Sequence, residues 1–315
     1  MGRVAILCGG QGAQAPGMAD ALGRGALVDE VFEAASDVCG FDVRAACGDA
    51  SALADAERVQ PALCAVSIAS ARLAQSAGVE PGYVAGFSLG QVAALNVAGM
   101  LSLEQTFSLC SARARAMAKA AEKTPGAMCA LSGADEVAVE ELIERTAGED
   151  VLVAANFNAP GQIVVSGHRA AVERAAQAWR ARPRRRATML AVAGAFHSPL
   201  MQDAARDVAA FLADVRFGEP RIPLVCNVDA RPLSAQAAPK RMARQIVSPV
   251  LFDRSIAWLS EQGVDVYVEC GSGSVLCSLV RRISPSARRF HAASPDEARA
   301  AAGFSDGEDE LGGSL

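Results

Sequence analysis

Val84-Ala85-Gly86-Phe87-Ser88-Leu89-Gly90-Gln91-Val92-Ala93-Ala94 is the stretch that decides how the chain is read. Small and apolar residues run up to Gly86, a serine stands between two glycines, and a helix-compatible run follows. This is the G-x-S-x-G pattern of a nucleophile elbow, a tight strand-to-helix turn that lifts the serine hydroxyl clear of a sheet. A side chain at either glycine would collide with the neighbouring strand or helix. The serine would also sit at a helix N-terminus, where unpaired N–H groups stabilise developing negative charge. The plainer alternative is a Gly/Ser turn that joins strand to helix and does no chemistry.

Around this stretch, 315 residues suffice for one large α/β domain with a smaller insert. Apolar residues make up 51% of the chain, enough for a sizeable core and too many for general disorder. The nine cysteines (8, 39, 47, 64, 110, 129, 226, 270 and 277) form no C-x-x-C pair and lie in apolar stretches. They read as buried thiols of a reducing compartment, not as a disulfide or zinc framework. Val4–Cys8 is too short an apolar run for a signal peptide. Pro81–Leu103 is uncharged for 23 residues, but its proline, four glycines, Gln91 and Asn96 suit a buried strand–turn–helix better than a membrane span. The expected setting is therefore cytoplasmic, with no membrane association. The net charge of −5 resides entirely beyond residue 290, where six acids face Arg299. The rest is neutral, which gives no support to nucleic-acid binding.

In chain order, Val4–Cys8 reads as a buried strand ending in the loop Gly9-Gly10-Gln11-Gly12-Ala13-Gln14. That loop lacks the third glycine of a dinucleotide fingerprint and the lysine of a P-loop, so it reads as backbone N–H groups turned toward a site. Helices are expected at Ala26–Cys39 and Pro61–Ala77. Ser102–Glu122 carries an apolar stripe (Leu103, Phe107, Cys110, Ala114, Met117) with Arg113 at its edge and Arg115 on the far side. Arg113 either looks into whatever the helix packs against or snorkels along apolar surface. From residue 127 the rhythm becomes β-α-β-β-α-β: strands at 127–131, 151–156, 162–166 and 187–192, and helices at 135–146 and 169–181. That is the ferredoxin-like order. Arg180, Arg182, Arg184, Arg185 and Arg186 form either a solvated basic loop or a dock for an acidic partner. Further helices and short strands follow to Arg282, including a strand at Val264–Glu269 and a helix from Val275. The end from about His291 has the composition of a disordered tail.

A serine nucleophile needs a base, and the chain has only three histidines. His291 borders the acidic tail, and His168 begins a helix, where capping is the expected work. His197 stands where the chain re-enters the large domain, between Phe196 and Ser198-Pro199. Elimination selects His197. The candidate acids between serine and histidine (Glu140, Glu141, Asp150) all belong to the insert, and no HGGG loop is present, so the expected orienter of the imidazole is a backbone carbonyl, which leaves a dyad.

Taken together, Gly10-Gln11-Gly12-Ala13-Gln14, Gly86-Phe87-Ser88-Leu89-Gly90, Arg113-x-x-x-Met117, Asn156-Phe157-Asn158-Ala159-Pro160-Gly161-Gln162, Phe196-His197-Ser198-Pro199-Leu200-Met201 and Gln245-Ile246-Val247-Ser248-Pro249-Val250 resemble the malonyl-CoA:acyl-carrier-protein transacylases. The likeness spans residues 4 to about 290. It implies an α/β-hydrolase-like core with a parallel sheet (1–126 and 195–290), an inserted ferredoxin-like subdomain (127–194) and an acidic tail (291–315). It implies malonyl transfer from malonyl-CoA to the phosphopantetheine thiol of an acyl carrier protein, in fatty-acid or polyketide synthesis. No metal or redox cofactor is implied, and the expected state is a monomer. The implied roles are Ser88 as nucleophile, His197 as base, and the backbone N–H groups of Gln11 and Leu89 as oxyanion hole. Arg113 would grip the malonate carboxylate, and the Gln245 carbonyl would hold His197. Phe196 matches the malonyl-selecting form of its motif. The family usually has histidine where Phe87 stands and glutamate where Gln91 stands, so Phe87 is expected to narrow or dry the acyl pocket. The alternatives are an acyl-CoA or acyl-carrier hydrolase of the same fold, and the malonyl-transferring subunit of a malonate decarboxylase.

Overall fold

A computed structural model of the chain describes residues 3–192 and 194–303. Among the described residues, ten strands form two sheets: β1 (Arg3–Cys8), β2 (Pro81–Gly86), β3 (Gly126–Ala134), β4 (Leu152–Ala159), β5 (Gly161–His168), β6 (Arg186–Met189), β7 (Leu224–Val225), β8 (Val250–Leu251), β9 (Val264–Cys270) and β10 (Arg288–His291). The first sheet has the order β10-β9-β1-β2-β7, with every pair parallel. Its central strands β1 and β9 are buried on both faces, as parallel strands covered by helices must be. Along β1, Val4, Ile6 and Cys8 face one core while Ala5 and Leu7 face another, the two-residue alternation of a pleated strand. This is an α/β-hydrolase-like core.

The second sheet has the order β6-β3-β5-β4-β8. Its first four strands are antiparallel and carry the helices Glu136–Thr146 and Arg169–Arg180, a ferredoxin-like unit packed around Trp179. The two-residue strand β8 comes from beyond this unit in sequence and adds itself parallel to β4 at Asn156 and Phe157. So short a strand leaves no periodic trace in the sequence.

Three expectations need correction. The helix expected from Pro61 begins at Ala56, with Pro61 inside it, because the Asp55 side chain accepts from the Glu57 N–H and caps the earlier start. The segment after residue 290 does not dissolve into a tail at once. His291 closes β10, and Pro295–Gly303 forms a helix whose Ala298, Ala301 and Ala302 are buried in the main core. Small apolar residues on one helix face outweigh the acids on the other; residues 304–315 lie outside the described residues. Thirdly, His168 precedes the helix Arg169–Arg180 without capping it, and its Nδ1 instead accepts from the Val151 N–H at 2.9 Å.

The uncharged stretch at the elbow folds as β2 followed by a helix at Gly90–Val97. No helix among the described residues is long and apolar enough to cross a membrane. All nine cysteines are free thiols, with Cys39 and Cys277 half-buried and the rest buried. The elbow helix lies so close to β1 that a Cβ at Gly90 would collide with the Cys8 carbonyl, and one at Gly86 would collide with Gly90. A Cβ at Gly9 would meet nothing within 4 Å. Gly90→Ala should therefore lower the unfolding free energy by about 2–3 kcal/mol, as overpacking does, while Gly9→Ala stays within about 0.5 kcal/mol. Parallel thermal and denaturant melts of the two variants check this contrast.

Candidate active site

The turn after β2 puts Ser88 at φ 52°, the left-handed region that non-glycine residues occupy only when their surroundings hold them there. What holds it is a set of buried, neutral amides. The Ser88 N–H donates to Asn227 Oδ1 at 2.8 Å, and Asn227 Nδ2 donates to the Gly86 carbonyl at 2.6 Å. Gln91 Oε1 accepts from the Asn227 N–H at 2.8 Å and from Gln245 Nε2 at 3.1 Å. Gln245 Nε2 also reaches the Ser88 carbonyl and Asn227 Oδ1, each at 3.1 Å. The other end of Gln91 faces two sulfurs, those of Met242 at 3.2 Å and Cys226 at 3.7 Å, which are weak acceptors. A neutral Gln91 thus ties elbow to scaffold without adding charge beside the serine.

His197, also at a positive φ of 60°, brings its Nε2 to 2.8 Å from Ser88 Oγ. Its Nδ1 lies 2.9 Å from the Gln245 carbonyl oxygen. A carbonyl can only accept, so Nδ1 carries the proton and Nε2 is left as the acceptor facing the serine hydroxyl. No carboxylate takes part, and the backbone carbonyl does the orienting.

Arg113 comes from the helix Leu103–Lys123 and is 3% exposed. Its Nη2 donates to Ser88 Oγ at 3.1 Å and its Nη1 to Gln60 Oε1 at 2.7 Å. Arg115, two residues on, is exposed. Burial lowers the Arg113 pKa to about 10, which leaves it charged at neutral pH. Burial, followed by the Arg113 charge, lowers the His197 pKa to about 4, against the pull of its hydrogen bonds to the backbone of Gln245 and Ser248. The imidazole is therefore neutral, and able to take a proton, throughout the physiological range.

Four expected site residues, Ser88, His197, Arg113 and Gln245, thus share one hydrogen-bonded cluster. Leu89 is buried at the head of the helix Gly90–Val97, and neither its N–H nor that of Gln11 finds an acceptor among the described residues. Gln11 and Phe87 line a neighbouring cavity of about 220 Å³, together with Gly10, Asn158, Gln162 and Leu190. Phe87 meets Phe252 edge-on at 5.4 Å, and its carbonyl oxygen would lie 2.6 Å from a Cβ at Gly10, so the two loops touch. It stands on that cavity's wall and is not a partner of Arg113. Phe196 is buried in the main core beside His197. The five arginines lie elsewhere, along the loop into β6: Arg180 donates to the Ala187 carbonyl, and Arg185 and Arg182 lie over the Trp179 ring at 4.0 and 5.8 Å. Gln60 and Asn227 belong to the cluster although no sequence pattern singled them out. Each is an isolated amide whose meaning depends on partners more than 50 positions away.

The arrangement suits acyl transfer through a serine ester, with a neutral base and a fixed positive charge within reach of the same oxygen. The profile of the acyl transferase domain family matches residues 6–297. The chain belongs to this family. Among its relatives is the malonyl CoA-acyl carrier protein transacylase of Escherichia coli K12, 36% identical over 288 residues, covering 90% of this chain and 93% of that protein. Among solved structures, the malonyl-CoA:acyl carrier protein transacylase of Xanthomonas oryzae pv. oryzae superposes with a TM-score of 0.92 at 37% identity, covering 96% of this chain and 98% of that one. A malonyl-transacylase in complex with a type II polyketide synthase acyl-carrier protein gives a TM-score of 0.92 at 34% identity, covering 96% and 99%.

Membership in the acyl transferase family makes the protonation state of His197 the first quantity to test. A proton passing from Ser88 to His197 would need the neutral imidazole, so a reaction that used this transfer would fail only as pH falls through the folded-state value. Reaction of the protein with a serine-directed phosphonate should hold steady from pH 8 through 6 and fall with a midpoint near pH 4. A midpoint near 6.5 would mean an ordinary, solvated histidine. The same group makes the fold less stable as pH drops from 6.5 toward 4, because the unfolded chain binds the proton there and the folded chain does not.

Proposed function

We propose that the protein transfers a malonyl group from malonyl-CoA to the phosphopantetheine thiol of an acyl carrier protein. The observation that carries this reading is a buried guanidinium, without an acid partner among the described residues, hydrogen-bonded to the oxygen of a serine that a neutral histidine also contacts. Ser88 Oγ attacks the thioester carbon as its proton passes to His197 Nε2. The backbone N–H groups of Gln11 and Leu89 receive the charge that develops on the carbonyl oxygen; one such donor is typically worth about 10²–10³ in rate. The C–S bond breaks, His197 returns the proton to the departing CoA sulfur, and a malonyl–Ser88 ester remains. In the second half the carrier thiol gives its proton to His197, its sulfur attacks the ester carbon, and Ser88 Oγ leaves with the proton. The Gln245 carbonyl steadies the imidazolium in both halves.

Arg113 selects the acyl group. Its planar fork suits a carboxylate better than a lysine would. A neutral acyl chain would leave its charge buried and unpaired, which counts against a hydrolase that clears such chains. When the malonate carboxylate meets Arg113, it also offsets the positive charge that depresses His197, so the substrate strengthens its own base. The proposed working state is a monomer, and the free cysteines fit a reducing cytoplasm. The substrates supply the chemistry, without metal or redox cofactor.

Intact-mass spectrometry with malonyl-CoA tests the reading directly. The wild-type chain should gain one malonyl group and Ser88→Ala none; a mutant labelled at the wild-type rate removes Ser88 as nucleophile. Arg113→Ala should move the preference from malonyl toward acetyl, and an unchanged ratio removes Arg113 as the carboxylate grip.

The basic loop is the proposed dock for the carrier protein. Arg184 and Arg186 are exposed, and β6 leads from Arg186 to Leu190 on the cavity wall, about 13 Å at strand rise. Arg184→Glu with Arg186→Glu should raise the KM for carrier protein several-fold and flatten its salt dependence, while kcat stays near wild type. Steady-state transfer at two ionic strengths checks this, and an unmoved KM refutes the dock.

A further inference from the structure

Among the described residues, Gln60 is the one side chain besides Ser88 that accepts a hydrogen bond from the Arg113 guanidinium. It is 1% exposed, on the helix Ala56–Ser76, between Val59 and Ala62, which are themselves buried. A guanidinium can only donate, so the amide must turn its Oε1 to Arg113 Nη1, and that fixes where its Nε2 goes. That Nε2 is buried and has no acceptor, and neither has Arg113 Nε. Buried donors are rarely left without partners, and here two belong to a hydrogen-bonded pair of side chains whose positive charge no carboxylate among the described residues meets. An anion able to accept several bonds would satisfy both donors and the charge together.

Resting on the reading that this site binds a malonyl group, we infer that Gln60 is its specificity-determining residue: it orients Arg113 without discharging it and offers Nε2 as a further donor to the substrate carboxylate. The neutrality of the residue is the important property. A glutamate of the same shape would reach Arg113 Nη1 equally well, but would form a buried ion pair and leave no free charge for an acyl carboxylate. It would also relieve His197 of part of the positive field that keeps it deprotonated. Gln60 therefore sets the choice between a charged and a neutral acyl group, and Arg113 executes it.

The test is acylation of the full chain by malonyl-CoA and acetyl-CoA in separate and mixed reactions, read by intact mass, for wild type, Gln60→Glu and Gln60→Met. In Gln60→Glu the malonyl-over-acetyl ratio should fall at least roughly 100-fold, with acetylation retained and the acid midpoint of acylation moved upward. In Gln60→Met the malonyl rate should fall roughly tenfold, the scale of one hydrogen bond to a charged group, and should fall further than the acetyl rate does. That variant keeps the question answerable where Gln60→Glu does not fold. A Gln60→Glu chain that keeps the wild-type ratio, or a Gln60→Met chain that loses both acylations equally, overturns the role of Gln60. Wild-type chain that gains no malonyl group overturns instead the reading of the site on which it rests.

Discussion

A positive charge sealed inside the protein, with no negative partner among the described residues, is the constraint around which this molecule is arranged. Removing one member of a buried ion pair commonly costs about 3–5 kcal/mol, and Arg113 sits in that unpaired condition by design of its surroundings. The groups that meet it are an amide oxygen and a hydroxyl, which orient a guanidinium and leave its charge intact. Everything else within the cluster is neutral as well: Asn227, Gln91, Gln245 and an imidazole that burial and Arg113 both keep unprotonated. The site thus withholds from Arg113 the one thing that a dicarboxylic acyl group brings.

The scaffold supplies the rigidity this requires. Two adjacent parallel strands, β1 and β2, end side by side and feed the glycine loop and the elbow. Gly86 and Gly90 let the elbow helix approach β1 closely enough that no methyl group would fit. Asn227 then stitches the elbow to the segment after β7, and Gln245 stitches it to the end of the helix Ala238–Gln245. Ser88 and His197 each hold a left-handed backbone conformation, and such strain persists only where neighbours on several elements enforce it. The ferredoxin-like unit contributes one wall of the adjoining cavity through Ala130, Val164 and Leu190, so the space beside the serine lies between the two sheets.

Much of this was legible in the sequence because the decisive signals were local. The elbow is a five-residue pattern, the strand–helix rhythm of residues 126–189 is periodic, and three histidines leave little choice of base. Arg113 was legible only as lying at the edge of an apolar stripe; periodicity could not tell a buried charge from a snorkelling one. The amides were harder. Gln60, Asn227 and the side chain of Gln91 owe their meaning to contacts as much as 154 positions away, and an amide has no spacing rule. The order of residues 295–303 was hidden for a different reason: acids dominate that composition, while three alanines on one face do the packing. Two residues, Val250 and Leu251, were too few to announce β8.

The most direct examination of the central claim is a crystal structure of the chain trapped after brief exposure to malonyl-CoA. The account predicts an ester on Ser88 Oγ, with the malonyl carboxylate within hydrogen-bonding distance of the Arg113 guanidinium. An acyl group on another residue, or a carboxylate turned away from Arg113 toward solvent, would contradict it.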